Sequence, residues 1–380
     1  MNFDVIICGA GPAGLTASLV LGRAGLKVAL IDKETSPGNK VCGDAIAAYV
    51  PKILTKICPE FAPAWEKCIM KTAVNTCRIT SPGGKTLDLQ YSESGYICKR
   101  SVFDTLLFGL VKQLPGITIL TGTRVSDVKT DESHVEVASD EDQVLRGRLV
   151  IGCDGAGSIT ARRLTDARTD LTHCSGAVRA YFKDVKDIPP LTFELHFLRN
   201  ILPGYFWIFP LPDNTASVGL GLPSRVIAAG KVNLKDKMFR IINEEPGLKA
   251  RFADADLTGT PEVSLLPLGS RDLTVSGHRF MLCGDAASLI DPATGEGIGH
   301  AILSGRYAAW QAMRCFEEND FSASFMKGYD KSLYGKIRRH NRFRYLIRRT
   351  VVSRPYAING VISLALKNKL IRKTIKKALE

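Results

Sequence analysis

Gly9, Gly11 and Gly14 form a G-x-G-x-x-G turn, Gly9-Ala-Gly11-Pro-Ala13-Gly14, and Asp32 follows the last glycine by 18 residues. Three glycines at that spacing suit the holding of a pyrophosphate. The first permits a tight turn, the second lets backbone approach the anion, and the third lets a helix pack closely on a strand. An acid at the end of the next strand can accept hydrogen bonds from an adenosine ribose, with Lys33 beside it. A second glycine-rich stretch runs from Gly284-Asp285 through Asp291-Pro292 to Gly295-Glu-Gly297-Ile298-Gly299. Between the two lies Tyr205-Phe-Trp207-Ile-Phe209-Pro210, then eight residues, then Gly219-Leu-Gly221. That pattern is an aromatic face with bare backbone beside it.

The elements needed to position these groups are legible nearby. Residues 3–8 read as a buried strand, 12–24 as a helix and 27–31 as a second strand. The helix start offers free N–H groups and a positive dipole end to an anion. Residues 279–283 read as a short strand leading into the second glycine-rich stretch, and 297–316 as a helix whose start can face a redox ring. In a strand alternate side chains share a face, so Tyr205, Trp207 and Phe209 project to one side and Phe206 and Ile208 to the other. Pro210 ends the ladder. By themselves three such aromatics are also ordinary sheet core.

With 380 residues the chain is long enough for more than one domain. Its net charge of +13 has a single origin: residues 336–380 hold 14 of the 51 basic residues and one of the 38 acidic ones. A neutral, enzyme-like body therefore carries a cationic tail. The ten cysteines show no CxxC and no Cys/His cluster at zinc spacing, so no metal is expected. No secretory signal and no membrane-spanning apolar run is evident, which points to a cytoplasmic protein.

The stretch around 284–299 resembles the second FAD motif of the flavoprotein hydroxylase superfamily typified by p-hydroxybenzoate hydroxylase. The resemblance implies that Asp285 accepts from the ribityl hydroxyls, and that Pro292, Gly295, Gly297 and Ile298 lie at the flavin ring. Arg100-Ser-Val-Phe103-Asp104-Thr-Leu-Leu107 resembles the superfamily's R-x-x-F-D-x-x-L, in which the arginine reaches toward the cofactor. Gly152-Cys-Asp154-Gly155-Ala-Gly-Ser158 resembles its G-x-D-G-x-x-S motif, though Ala161 stands where a helical arginine is common and Arg162 follows it.

The aromatic stretch resembles the Y-x-W-x-F-P, then G-x-G, pattern of the geranylgeranyl reductase family. With the flavin motifs the likeness covers about residues 1–310. It implies an FAD-dependent reductase of isoprenoid C=C bonds in a prenyl lipid or quinone. The substrate pocket would be formed by Cys42, Tyr205, Trp207, Phe209, Gly219 and Gly221. Cys42, in Lys40-Val-Cys42-Gly43-Asp44, would act with Tyr205 and Trp207 in catalysis. The external reductant, NADPH or a ferredoxin-type carrier, is left open. Glu194 and His196 on the preceding strand are weak candidates for proton supply, and solvated strand positions are the plainer reading.

The alternative keeps the fold and changes the reaction to aromatic hydroxylation or halogenation. Halogenases show W-x-W-x-I-P where this chain has Tyr205 and Phe209, which favours the reductase. A third class, a non-catalytic or RNA-modifying flavoprotein, predicts RNA retention, but the tail has few aromatics to stack bases and no nucleic-acid partner is expected.

The expected architecture is α/β: a Rossmann-type FAD-binding domain from residues 1–75, 98–165 and 270–330, and an inserted antiparallel β-sheet substrate domain from 76–97 and 166–269. A basic helical tail, 331–380, follows. Its last stretch, 363–379, has the two faces of a helix lying on an anionic membrane surface, here the inner face of the membrane. Docking on the body and binding of a substrate pyrophosphate compete with that reading.

Overall fold

The apolar runs at the N-terminus fold as parallel strands buried on both faces, the environment that continuous Val/Ile/Leu segments require. Val5 to Cys8 and Val28 to Leu30 have no exposed surface. The structure is a computed structural model and describes residues 2–379 apart from Asn39, Asp142 and Ala167. Among the described residues the strands form two eight-stranded sheets.

In the first sheet Asn2–Cys8 lies between Val28–Asp32 and Val144–Gly152, with Ile117–Thr121 beyond the former and Phe280–Leu282 beyond the latter. All these neighbours pair in parallel. The short strand Ser276–Gly277 closes one edge, and the hairpin of Val125–Thr130 and Val135–Ser139 joins Val144–Gly152 antiparallel. Two helices matter most for the site. Pro12–Arg23 starts within the glycine turn, with Gly11 as its N-cap and Pro12 in the first turn, where a missing N–H costs nothing. Ile298–Glu317 crosses it so closely that a Cβ on Gly305 would fall 2.2 Å from the Ala13 carbonyl oxygen. This contact sets the two glycine-rich loops side by side.

The second sheet runs in the order Asp256–Pro267, Cys174–Lys183, Thr215–Pro223, Tyr205–Pro210, Thr192–His196, Lys71–Thr80, Thr86–Cys98 and Ala45–Ile46. Every join is antiparallel except that of Thr192–His196 with Lys71–Thr80. Those two strands come from separate passes of the chain, so no hairpin forces them to run in opposite directions. On one face Phe206, Ile208, Val218 and Leu220 pack against Leu234, Met238 and Ile241, the latter three on the helix Leu234–Glu244. On the other, Trp207 and Phe209 cluster with Val74, Ile97 and Ala177.

Glu194 and His196 are neither solvated nor on the aromatic side. Both are buried on the helix-covered face, where Arg251 donates to Glu194 at 2.8 and 2.7 Å and the His196 ring lies 3.1 Å from it. Burial opposes the Glu194 charge, but the hydrogen bonds from His196 and Arg251 outweigh it and bring the carboxyl down to about 2. This is a structural ion pair, on the opposite face of the sheet from the aromatic wall.

The C-terminal segment begins with the helix Ala323–Ile347, passes through a π-helical turn over Arg348–Val352, and continues as Pro355–Lys367 and Lys369–Leu379. The expected helix over 363–379 is thus broken in two at Asn368, whose side chain accepts from the Leu370 N–H at 2.8 Å and starts the next helix. Ile358, Ile362 and Ala365 pack on Cys77, Ile79, Leu87 and Leu89 of the second sheet. The apolar side of this segment therefore docks on the protein body, which gives the tail a structural role the charge pattern did not single out.

Candidate flavin and substrate site

The glycine turn is built as the spacing requires. Gly9 has a φ of +106°, and a Cβ there would sit 2.3 Å from the Cys153 carbonyl oxygen. A Cβ on Gly14 would sit 1.9 Å from the Gly9 carbonyl oxygen. Gly11 is different: nothing lies within 4 Å of a Cβ built on it. Its open side, next to the helix start, is the space an anion would take. Asp32 accepts from the N–H groups of Ala10 and, at 2.8 Å, of Glu34. Burial pushes its pKa up and those two hydrogen bonds oppose it. With two acceptor positions in use, a carboxylate can still receive a ribose hydroxyl. The residues present fit the dinucleotide.

Asp154 works locally. It accepts from the Ser158 hydroxyl and, at 3.0 Å, from the Thr160 N–H, and so holds the start of the short helix Ile159–Leu164, whose N-cap is Ser158. The neighbouring Cys153 carbonyl is the one that Gly9 approaches. Lys33 is exposed beside Glu34, at 3.8 Å, and does not line the cavity described below.

The second loop is organised by Asp291, a residue to which the motif assigned no role. Its Oδ1 accepts from the N–H groups of Ala293 at 2.8 Å and Thr294 at 2.9 Å, and Arg344 of the C-terminal helix pairs with Oδ2. Burial opposes the Asp291 charge, yet Arg344 and the loop amides outweigh it and lower the pKa. Gly295 takes a φ of +74°. The Tyr205 hydroxyl donates to the Thr294 carbonyl, and a Cβ on Gly295 would lie 3.1 Å from that hydroxyl. The aromatic strand is thereby fastened to the loop.

Between the first and second sheets lies a cavity of about 600 Å³, within the range of small-molecule sites. One side is lined by Lys40, Arg100, Asp285, Pro292, Gly295, Gly297 and Ile298. The other is lined by Cys42, Tyr205, Trp207, Phe209 and Gly221. Most of the expected residues are thus split between the cavity and the glycine turn that adjoins it, while Gly219 acts from behind. Trp207 pairs with Gly219 across the strands, and a Cβ on Gly219 would fall 2.4 Å from the indole. The glycine leaves room for the ring to lie flat on the sheet.

Arg100 and Lys40 face the cavity but are not free. Arg100 makes a two-pronged contact with Asp104, one turn on, with Nε donating at 2.9 Å, and Lys40 pairs with Asp285. Cys42 is half-buried, and burial pushes its thiol pKa up, with Arg100 partly offsetting this. Burial thus favours the protonated thiol over the thiolate. Behind it Asp44 is fully buried, takes a φ of +65° and accepts from the Tyr181 hydroxyl at 2.9 Å and the Arg100 N–H at 3.2 Å.

A parallel sheet with two glycine-rich loops at adjacent helix starts, opening on an apolar cavity, defines an FAD-dependent oxidoreductase. Residues 4–170 match the family model of FAD dependent oxidoreductases. The chain is 31% identical over 354 residues to a digeranylgeranylglycerophospholipid reductase of Thermoplasma acidophilum, covering 89% of this chain and 85% of that one. Its fold matches a geranylgeranyl bacteriochlorophyll reductase-like protein of the same organism with a TM-score of 0.83, at 25% identity over 95% of this chain and 91% of the other. This chain belongs to the geranylgeranyl reductase family, and its cofactor is FAD. A flavin-dependent brominase also superposes, with a TM-score of 0.79 over all of this chain and 93% of the brominase, but at 19% identity it shares the fold alone.

Proposed function

We propose that this protein reduces isoprenoid C=C bonds of a prenyl lipid, with the chain of the substrate lying along Tyr205, Trp207 and Phe209. The observation that supports this reading most directly is that the aromatic wall, the Cys42 loop and the loop from Asp291 to Gly297 border one cavity. When bound and reduced, FAD supplies the hydride. The chain's own share is to hold the alkene flat, exclude water and deliver a proton. Cys42 is the proposed donor: the hydride adds to one alkene carbon, the thiol proton to the other, and water restores the thiol. Tyr205, held by Thr294, keeps the wall at a fixed distance from the flavin loop. The electron donor in the cell is a separate question, NADPH or a ferredoxin-type carrier, and dithionite replaces it in a test.

Incubated anaerobically with dithionite and a digeranylgeranyl glycerophospholipid, the FAD-loaded protein should yield products heavier by about 2 Da per double bond, since reduction adds two hydrogens. A gain of about 16 Da under air, with none under anaerobic conditions, would instead select hydroxylation, and a gain of about 34 or 78 Da with chloride or bromide present would select halogenation. In the same assay Cys42→Ala should keep its flavin and lose roughly 10²- to 10⁴-fold in turnover, the usual range for a proton donor. Undiminished turnover removes Cys42 from that role.

We also infer peripheral contact with an anionic membrane. No helix among the described residues is long and apolar enough to span a bilayer. The outward side of the C-terminal helices exposes Tyr356, Leu364 and Leu370 beside the exposed Lys367, Lys369 and Lys373, a combination suited to lying in a headgroup layer. The protein should co-sediment with phosphatidylglycerol vesicles, less so at high salt, and the double variant Leu364→Asp, Leu370→Asp should stay in the supernatant. Equal recovery of wild type with and without vesicles excludes the contact.

A further inference from the structure

Five basic side chains line the cavity, and four of them have a carboxylate partner. Lys40 pairs with Asp285, Arg100 with Asp104, Arg179 with Glu262 at 2.7 Å, and Arg344 with Asp291. The fifth is Arg348. It stands at the π-helical turn where the long C-terminal helix bends over the cavity. Its guanidinium is held by neutral acceptors only, Nη2 donating to the Ser175 hydroxyl at 2.7 Å and Nη1 to the Pro292 carbonyl at 3.2 Å. Among the described residues no carboxylate lies within ion-pair distance of it. The carboxylates on the adjoining loop are already engaged: Asp291 by Arg344, and Glu296 by the Tyr49 hydroxyl at 2.9 Å and the Gly299 N–H at 3.1 Å.

Arg348 is half-buried; a cation partly withdrawn from water without a counter-charge is disfavoured, and native proteins keep buried charges paired. Burial does push the Arg348 pKa below its ordinary value, with Tyr205, Tyr345 and Asp291 only partly compensating. The same guanidinium presents further N–H donors in a fixed fork, the geometry that suits phosphate oxygens. Ser175 and Pro292 hold that fork at the end of the aromatic wall, next to Tyr205.

We propose that Arg348 is the anion-recognition residue of this cavity, pairing with a phosphate group at the head of the prenyl substrate and so setting which double bonds pass the flavin. This rests on the prenyl-reductase reading above. The phosphate has two chemical sources, the phosphodiester of a glycerophospholipid or the diphosphate of a free prenyl chain. Arg348 serves either, and the paired substrates in the test separate them. The charge pattern of the tail is thereby resolved in part: of its cations, Arg344 holds the loop and Arg348 faces the substrate.

The test uses the full FAD-loaded chain reduced with dithionite, and three C20 substrates: geranylgeranyl diphosphate, a digeranylgeranyl glycerophospholipid and geranylgeraniol, which has no phosphate. Wild type should favour at least one phosphate-bearing substrate over the alcohol. Arg348→Gln should lose about 10- to 100-fold in kcat/KM on that substrate, mainly through KM, the range for one charge-assisted hydrogen bond. On the alcohol it should stay within about twofold. Arg348→Lys should recover part of the loss, and Arg349→Gln, the exposed neighbour, should show none.

Equal losses on alcohol and phosphate substrates overturn the proposal, because they mean that Arg348 only supports the Pro292 loop. A wild type with no preference for phosphate overturns it too, while leaving prenyl reduction standing. Binding of inorganic diphosphate by calorimetry provides a readout without turnover. If wild type binds it and Arg348→Gln does not, the anion site stands even where no prenyl substrate is reduced. If neither or both bind, it falls.

Discussion

Gly14→Val should yield a protein that no longer retains FAD. The first Cβ atom alone would lie 1.9 Å from the Gly9 carbonyl oxygen and 3.2 Å from the Ile7 side chain, and neither has room to retreat. Gly9 is itself pressed against the Cys153 carbonyl, and Ile7 is fully buried in the central strand. The helix Pro12–Arg23 must therefore tilt off the sheet, which withdraws its N–H groups from the pyrophosphate. Hydrogen bonds to a charged group contribute about 1.5–3 kcal/mol each, so losing two corresponds to at least about a hundredfold in affinity. Flavin absorbance after gel filtration reports the result, and stoichiometric flavin in the variant refutes the packing argument. Gly11→Ala is the informative companion. With nothing within 4 Å of its Cβ, it should melt like wild type and still bind FAD more weakly, because the methyl group occupies the anion's place.

Gly219→Val should separate the two halves of the site in the opposite sense. Its Cβ would meet the Val178 carbonyl oxygen at 2.1 Å and the Trp207 indole at 2.4 Å. The strand pairing leaves little freedom, since Thr215–Pro223 is bonded on both sides, to Cys174–Lys183 and Tyr205–Pro210. The Val178 carbonyl is backbone, so the strands must spread locally and stability falls, while the indole swings into the cavity. FAD content should stay near that of wild type, because neither glycine-rich loop is touched. Turnover of the prenyl substrate should fall by about a hundredfold, the scale of a misplacement near 1 Å at a reacting centre. The measurement pairs flavin stoichiometry with kcat/KM, and unchanged kcat/KM would show that the indole does not position substrate. Gly221→Ala, whose Cβ would come no closer than 4.0 Å to the Gly176 carbonyl, should be mild by comparison.

These two outcomes follow from contacts of different range, and the same division governs how much could be read in advance. The turn at Gly9–Gly14 and the alternation along Tyr205–Phe209 are short-range patterns. The positive φ of Gly9, the contact of Gly14 with Gly9 and the face on which each ring lies are set within a few residues, although Gly9 also abuts the distant Cys153 carbonyl. The pairing of Arg100 with Asp104 is also local, four residues apart on one helix, and the sequence contains that signal although the motif pointed the arginine toward the cofactor. Glu194 and His196 were harder. Their alternation was correct, but which face of the second sheet the helix Leu234–Glu244 would cover depends on packing between distant segments.

The tail shows the limit most clearly. Its cationic composition and its two-faced helical pattern are plain in the sequence, and both are compatible with a membrane, a nucleic acid, a substrate or the body itself. Composition counts charges but does not say where their partners lie. Residue types at fixed short spacing were enough for the cofactor class, the aromatic wall and the likeness to prenyl reductases. Three features of the tail needed the folded chain: Ile358 and Ile362 cover the second sheet, Arg344 closes the Asp291 loop, and Arg348 enters the cavity without a carboxylate. Those contacts join residues more than fifty positions apart, and they exist because helix and sheet bury their apolar faces together, which no local pattern encodes.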